Sequence, residues 1–299
     1  MSRDERGQSV VLAVMMLTAL LGMAALVLDA GSWFRARRAV QQTSDAAALA
    51  GVQALPGDTA TAQSLALTYA GKNGGGVASA DITFESGVRS ADTIVVTARQ
   101  TAPGFFSKIF GLNSVNVSAT AKARAYTLLE ANDLTPFAVE RGHPKLSGTN
   151  CPCFNTNTVI VQQGAGPGSF EIINLLNVLG GTSPGILADW ITNGYDGYLP
   201  RGWYWNDPGA KFNPSKVADA MNARVNTTML FPVYDAIRGN GANLEYKVIG
   251  FAGFYMTSWN AQGPAAEIRG YFQKVIWDGI QDETGVSPDF GAHSVSLIQ

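Results

Sequence analysis

The pattern of apolar and polar positions changes texture three times along the chain. Ser9 to Leu28 reads SVVLAVMMLTALLGMAALVL, twenty residues without a charge. As helix, that is the length of a bilayer's hydrocarbon core. A secretory signal peptide has a shorter apolar region that ends at a small-residue cleavage site. Ala24-Ala25 offers such a site, but Leu26-Val27-Leu28 carry the apolar run past it, so the segment reads as a retained anchor. From Asp29 an Ala-rich amphipathic pattern continues to the break at Pro56-Gly57-Asp58. Trp33, Ala36, Val40, Ala47, Ala50 and Ala54 recur at spacings of three, four and seven, which makes one helical face. Arg35, Arg38, Gln42 and Asp45 fall mainly on other faces. The pattern predicts one rod from Ser9 to Leu55, about 70 Å long at 1.5 Å per residue.

A plain anchor needs no such continuation, and a lone solvated helix carries charge all round. The narrow alanine face therefore predicts packing, either on the chain's own domain or on another subunit's stalk. Thr18 and Gly22 in the span, then Asp29, Ala36, Ala47, Ala50 and Ala54, are the candidate helix-packing positions, because small residues let helices approach closely. The alternative is that alanine is there for helix propensity alone. Asp29 has two readings: a charge partner on a neighbouring subunit, or an interfacial residue satisfied by water or by Arg35.

The second texture mixes helix and strand. Asp58 or Thr59 caps a helix through Leu65 and Tyr69 that Gly74-Gly75-Gly76 stops. Ile82 and Phe84 alternate as a strand, Thr93 to Gln100 is another, and Ser114 to Tyr126 is a third. Pro103 to Gly111 reads as a short helix with Pro near its start and Gly at its end. After about Leu128 the chain becomes rich in Gly, Pro, Asn and aromatics, and the helical period fades. Strands are expected at Asn157 to Gln163, Glu245 to Trp259 and Glu267 to Gly279, and helices at Phe170 to Gly180, Gly185 to Gly194 and Pro214 to Asn226. The fold class is α+β: a long N-terminal transmembrane and stalk helix, a small α+β domain, then a β-rich C-terminal domain. The segments are 1–8, before the span; 9–28, the span; 29–127, stalk and α+β domain; and 128–299, the β-rich part.

Composition changes the picture in two ways. A net charge of -2 over 299 residues argues against nucleic acid as a partner, because phosphate binding needs a basic face. Glycine at 33 positions fits the turn-rich second half. The charges flanking the span, Arg3 and Arg6 before it and Arg35, Arg37 and Arg38 after it, are nearly balanced and leave orientation open.

Candidate chemistry is sparse. Cys151 and Cys153 flank Pro152 as the only cysteines, a possible disulfide pair. A metal site would need two further ligands, and His143 and Asp133 are the nearest candidates without a recognisable spacing. Gly164, Gly166 and Gly168 after a strand resemble a phosphate loop, but Pro167 interrupts it and no Lys follows, so an ordinary turn is expected. Tyr195, Tyr198, Trp203 and Trp205, beside Asp196, Asn206 and Asp207, offer a surface for sugar rings. The alternation of Trp203 and Trp205 fits one buried strand face equally well. His143 and His293 are the only histidines, no hydrolase motif is present, and Asp282-Glu283 looks exposed and unpartnered. No cofactor, no metal and no catalytic activity are expected.

The N-terminal sequence also carries a resemblance. Arg6-Gly7, the apolar helix, Asp29, the aromatic-Arg segment and Gln41-x-x-x-Asp45-Ala-Ala-Ala-Leu-Ala-Gly51 resemble the N-terminal segment of TadE/TadG-like proteins of the tight-adherence (Flp) pilus system. Thr68 to Gly74 and Phe105 to Ala125 are similar to that family too. Phe231 to Asp235 and Tyr246 to Met256 resemble the C-terminal part of TadG-related proteins. The resemblance implies a pilin-like first domain and a minor-pilin-like or assembly subunit in the cytoplasmic membrane. Its N-terminus would lie inside and the residues after about 30 outside. It further implies partners among other pilus-assembly or pilin-like subunits, met through the N-terminal helix, and self-association. In TadE-type prepilins a peptidase cuts after Gly and a Glu stands at mature position five. Here a cut after Gly7 would place Leu12 there, which implies an unprocessed, permanently anchored chain. The Asp-x-Ser-x-Ser metal motif of some TadG proteins is not in this sequence. A membrane-tethered glycan-binding module and an anchored hydrolase are the alternatives.

Overall fold

A computed structural model describes residues 6–148, 151–162, 170–208, 212, 215–261 and 266–298. The chain divides into two compact units, Met1–Ala125 with Ser296–Gln299 and Tyr126–Val295. The α+β class expected from the sequence is the observed one, with a long N-terminal helix followed by β-rich structure.

In the first unit α1 runs unbroken over Arg6–Gly51, about 69 Å at 1.5 Å per residue. The pattern predicted helix as far as Leu55. The α-helix instead ends at Gly51 and tightens into a 3-10 turn, Val52–Ala54, before Leu55 turns extended. Pro56 explains this, since the residue before a proline is forced out of the helical region. α2, Thr59–Lys72, is capped by the Asp58 carboxylate, which accepts the Thr61 N–H at 2.9 Å. It is followed by three glycines with positive φ, Gly74 to Gly76. Three strands, β1 (Ile82–Glu85), β2 (Thr93–Pro103) and β3 (Ser114–Ala131), form an antiparallel sheet in the order β1-β2-β3. Ile94, Val96 and Ala98 alternate along β2 on its buried face, and α1 packs against both β2 and α2. The expected helix from Pro103 to Gly111 is a single 3-10 turn, Ser107–Phe110, closed by Gly111 at φ 82°. A left-handed closing residue is the conformation glycine adopts without cost.

The second unit takes up β3 from Tyr126 and continues with β4 (Phe137–Glu140), α3 (Pro144–Ser147), β5 (Thr158–Val161) and β6 (Phe170–Ile172). Then come α4 (Pro184–Asn193), β7 (Leu199–Pro200), β8 (Gly202–Trp205), α5 (Ser215–Ala223) and β9 (Thr227–Arg238). β10 (Glu245–Asn260), β11 (Glu267–Gln273), β12 (Val275–Ile276), β13 (Gly279–Gln281) and, as far as Val295, β14 (Ala292–Ile298) complete it. Its main sheet has the order β5-β11-β10-β9-β4-β6, with β8 pairing the start of β10. β7 and β13 pair the last part of β3. Phe137, Phe170, Phe212, Phe231, Phe254 and Phe272 form the aromatic centre of its core.

One expected helix is absent. Phe170 to Gly180 begins as strand β6 and then turns, because the Asn174 side chain competes with helical hydrogen bonds. Its carbonyl accepts the Leu176 N–H at 3.0 Å, and its amide donates to the carbonyls of Val178 and Gly180.

Candidate functional site

The two halves of α1 meet different surroundings. Between Val10 and Leu28 every Val, Leu and Met is 54% to 71% exposed. A window of mean hydropathy 2.6 there is long and apolar enough to cross a membrane. Thr18 donates its hydroxyl to the Val14 carbonyl of its own helix at 2.8 Å. A Cβ on Gly22 would meet nothing within 4 Å. Both positions are exposed.

From Asp29 a buried or half-buried stripe begins: Asp29, Trp33, Ala36, Val40, Thr43, Ala47 and Ala50. Ala47 is fully buried, Val40 and Ala50 are buried, and Ala36 and Ala54 are half-buried. Arg35, Arg37 and Arg38 are exposed. At the end of the stripe the backbones close up. An ideal Cβ on Gly51 would stand 2.5 Å from the Ile94 Cδ1 of β2 and 2.8 Å from the Ala62 carbonyl of α2. Thr43, a polar member of the stripe that the alanine pattern did not include, donates its hydroxyl to the Asn73 carbonyl past the end of α2.

Asp29 departs from both of its sequence readings. Its carboxylate is buried, and it accepts three consecutive backbone N–H groups from the turn between β2 and β3. Phe105 donates at 2.9 Å, Phe106 at 3.1 Å and Ser107 at 2.6 Å. Neither Arg35 nor another subunit is needed to satisfy it. The same device recurs at Asp92, whose carboxylate accepts the N–H groups of Gly87, Val88 and Arg89, each at 2.8 Å. Burial opposes its charge, but the Arg89 N–H, the Thr93 hydroxyl and the other two N–H groups outweigh this and hold its carboxyl below the usual range. Backbone donors have no side-chain signature, which is why the sequence reading missed both clasps.

The second unit disperses the residues that looked like a site. Cys151 and Cys153 are bonded to each other. His143, the proposed companion ligand, accepts the Lys145 N–H on Nδ1 at 3.0 Å and packs edge-on against Phe272. Among the described residues no three of His, Cys, Asp and Glu cluster as metal ligands. The strand with the tryptophans buries its other face: Tyr204 is buried, while Trp203 and Trp205 are half-buried. Trp203 lies under the Arg238 guanidinium at 4.2 Å, and that group pairs with Glu245 at 2.6 and 2.8 Å. Tyr195 packs edge-on against Trp190, and Tyr198 donates to Asp278 at 2.7 Å. Three of the four aromatics therefore have separate neighbours. Asp207 is buried and holds the N–H and hydroxyl of Thr182. Asp282, which looked exposed, is buried and accepts from Thr284 and Ser287. The glycines 164, 166 and 168 lie outside the described residues. A cleft of about 470 Å³ in this unit is lined by Glu130, Arg201, Asp235 and Lys247 among others.

Comparison with known families gives one match. Residues 7–54 match the family described as Tad, putative Flp pilus-assembly TadE/G-like. The match begins just before the apolar run and ends in the 3-10 turn after α1, so it covers both halves of that helix. Neither a curated protein nor a solved structure matches the chain.

Proposed function

We propose that this chain is a membrane-anchored, non-enzymatic component of Tad-type pilus assembly, held permanently in the cytoplasmic membrane by α1 with both units outside. The observation that carries this reading is the continuity of α1. One helix passes without a break from a bare apolar half to a half packed on its own unit, and the segment with the TadE/G-like match is that same helix. The anchor supplies lipid-facing surface, and the packed half holds unit 1 at a fixed distance from it. Leu12, in place of the acid that prepilin processing uses, favours an assembly or anchoring role over incorporation in the filament. No specific observation favours the glycan-binding alternative: Tyr195, Tyr198 and Trp203, three of the aromatics expected to stack on sugars, have separate protein neighbours.

Pili sheared from cells and the remaining membranes, each probed for this chain, test the proposal. The expected result is chain in the membrane fraction that still carries the residues before Gln8, and surface pili lost when its gene is deleted. Chain recovered in the sheared pili with Gln8 as its first residue would overturn the anchoring role. Normal pili without the gene would overturn the pilus role.

A further inference from the structure

Between β2 and β3 the chain turns through Phe105 to Leu112, and the turn is inside out for a loop in water. Six of the eight backbone N–H groups from Phe105 to Leu112 have partners within the chain. The Gly104 N–H donates to the Asn113 carbonyl at 2.9 Å, Ile109 to Phe106 at 3.1 Å, Gly111 to Lys108 at 3.0 Å and Leu112 to Ser107 at 3.1 Å. The N–H groups of Phe105, Phe106 and Ser107 go to Asp29. The apolar side chains point out instead: Ile109 is 80% and Phe110 84% exposed, and Phe105, Phe106 and Leu112 are exposed beside them. Five large apolar side chains in eight residues make the kind of patch that marks an interaction site. Backbone N–H groups paired mostly within the chain, under outward apolar side chains, suit a medium poor in water.

Asp29 sets the level of this loop. It follows Leu28, the last residue of the uncharged run. Three N–H groups within 3.1 Å of its carboxylate fasten the loop where that run ends. One turn further along α1, Trp33 donates its indole N–H to the Pro103 carbonyl at 3.3 Å, at the loop's entrance. Tryptophan concentrates at the boundary between hydrocarbon and headgroups. Lys108 is exposed within the loop, with a stem able to lie among apolar groups while its ammonium reaches phosphate.

We propose that residues 105–112 form a second membrane contact. The loop lies in the boundary between headgroups and acyl chains of the leaflet from which α1 emerges, and phospholipid occupies its apolar patch. This rests on the reading of α1 as a span. With the loop in place, unit 1 is attached at two points, and the Asp29 clasp couples them.

The test uses the full chain in vesicles of phosphatidylethanolamine and phosphatidylglycerol. A photo-crosslinking benzophenone amino acid replaces Leu17 in the span, Phe110 in the loop, or Ser64 on the exposed side of α2. Mass spectrometry should find phospholipid adducts at positions 17 and 110 and none at 64. In an Asp29→Ala background the adduct at 110 should fall several-fold while that at 17 is unchanged. Lipid at 17 with none at 110, or capture of a second copy of the chain at 110, would overturn the loop contact and leave the span intact. No lipid at 17 would overturn the span, and the proposal with it.

Discussion

The first and last thirds of α1 share a backbone conformation and almost nothing else. From Val10 to Leu28 the Val, Leu and Met side chains that dominate are large and bare. From Val40 to Gly51 the buried ones are Ala, Thr, Ser and Gly with one Val, and they lie on a sheet and a second helix. Size explains the division. Large apolar side chains gain most when a fluid medium surrounds them on all sides. Small ones gain little by themselves but let another backbone approach until Gly51 has no room for a Cβ. Asp29 stands between the two regimes, a charge whose partners are backbone N–H groups of its own unit.

The most severe way to break this comparison is to put a charge in the small half. Ala47→Arg buries an unpaired cation where Ala47 is fully covered. It is expected to destabilise unit 1 on the order of 3–5 kcal/mol, read as a lowered denaturation midpoint of the detergent-solubilised chain. A wild-type midpoint would mean that the stripe is wet. Gly51→Ala sharpens the same point with one methyl group. The added carbon would overlap Ile94 and the Ala62 carbonyl, and the expected loss is about 1–3 kcal/mol.

The second unit supplies a contrast independent of the helix. Burial, helped by the Lys145 charge, lowers the His143 pKa from 6.5 to about 4. The unfolded chain therefore takes up a proton near pH 6.5 that the folded unit refuses until near pH 4. Stability is full above pH 6.5 and falls as the pH drops toward 4, by about 1 kcal/mol between pH 7 and 5.5. His143→Asn keeps an acceptor for the Lys145 N–H but does not titrate. Its denaturation midpoint should be flatter across that range, and an unchanged slope would clear His143 of the effect. The smallest expected change is in the bare half. Leu17→Ala should alter the unfolding of either unit by less than about 0.5 kcal/mol, and a larger loss would reveal a protein neighbour for that face.

What the sequence made legible follows the reach of each signal. The span and the alanine stripe repeat along one helix, so a local period exposes them. The α+β class follows from the same local patterns. The Asp29 clasp joins residues 76 to 78 apart through backbone donors, and no side-chain pattern announces it. The alternation of Trp203 and Trp205 fitted a strand as well as a sugar surface, yet a period of two does not say which face is covered, and Tyr204 rather than the tryptophans took the buried one. Phe170 to Gly180 has a helix-like composition, but Asn174 diverts the backbone. The order of the second sheet depends on pairings such as β4 with β9, nearly a hundred positions apart in the chain, and such contacts leave no mark in a local window.

The central claim is that α1 crosses the membrane with both units outside, and amine labelling of spheroplasts tests it most directly. Lys72 and Lys216 are exposed and lie beyond the span, one in each unit. A membrane-impermeant amine reagent should label both lysines in intact spheroplasts, to the same extent as after permeabilisation. Protection of both lysines until the membrane is permeabilised would contradict the account.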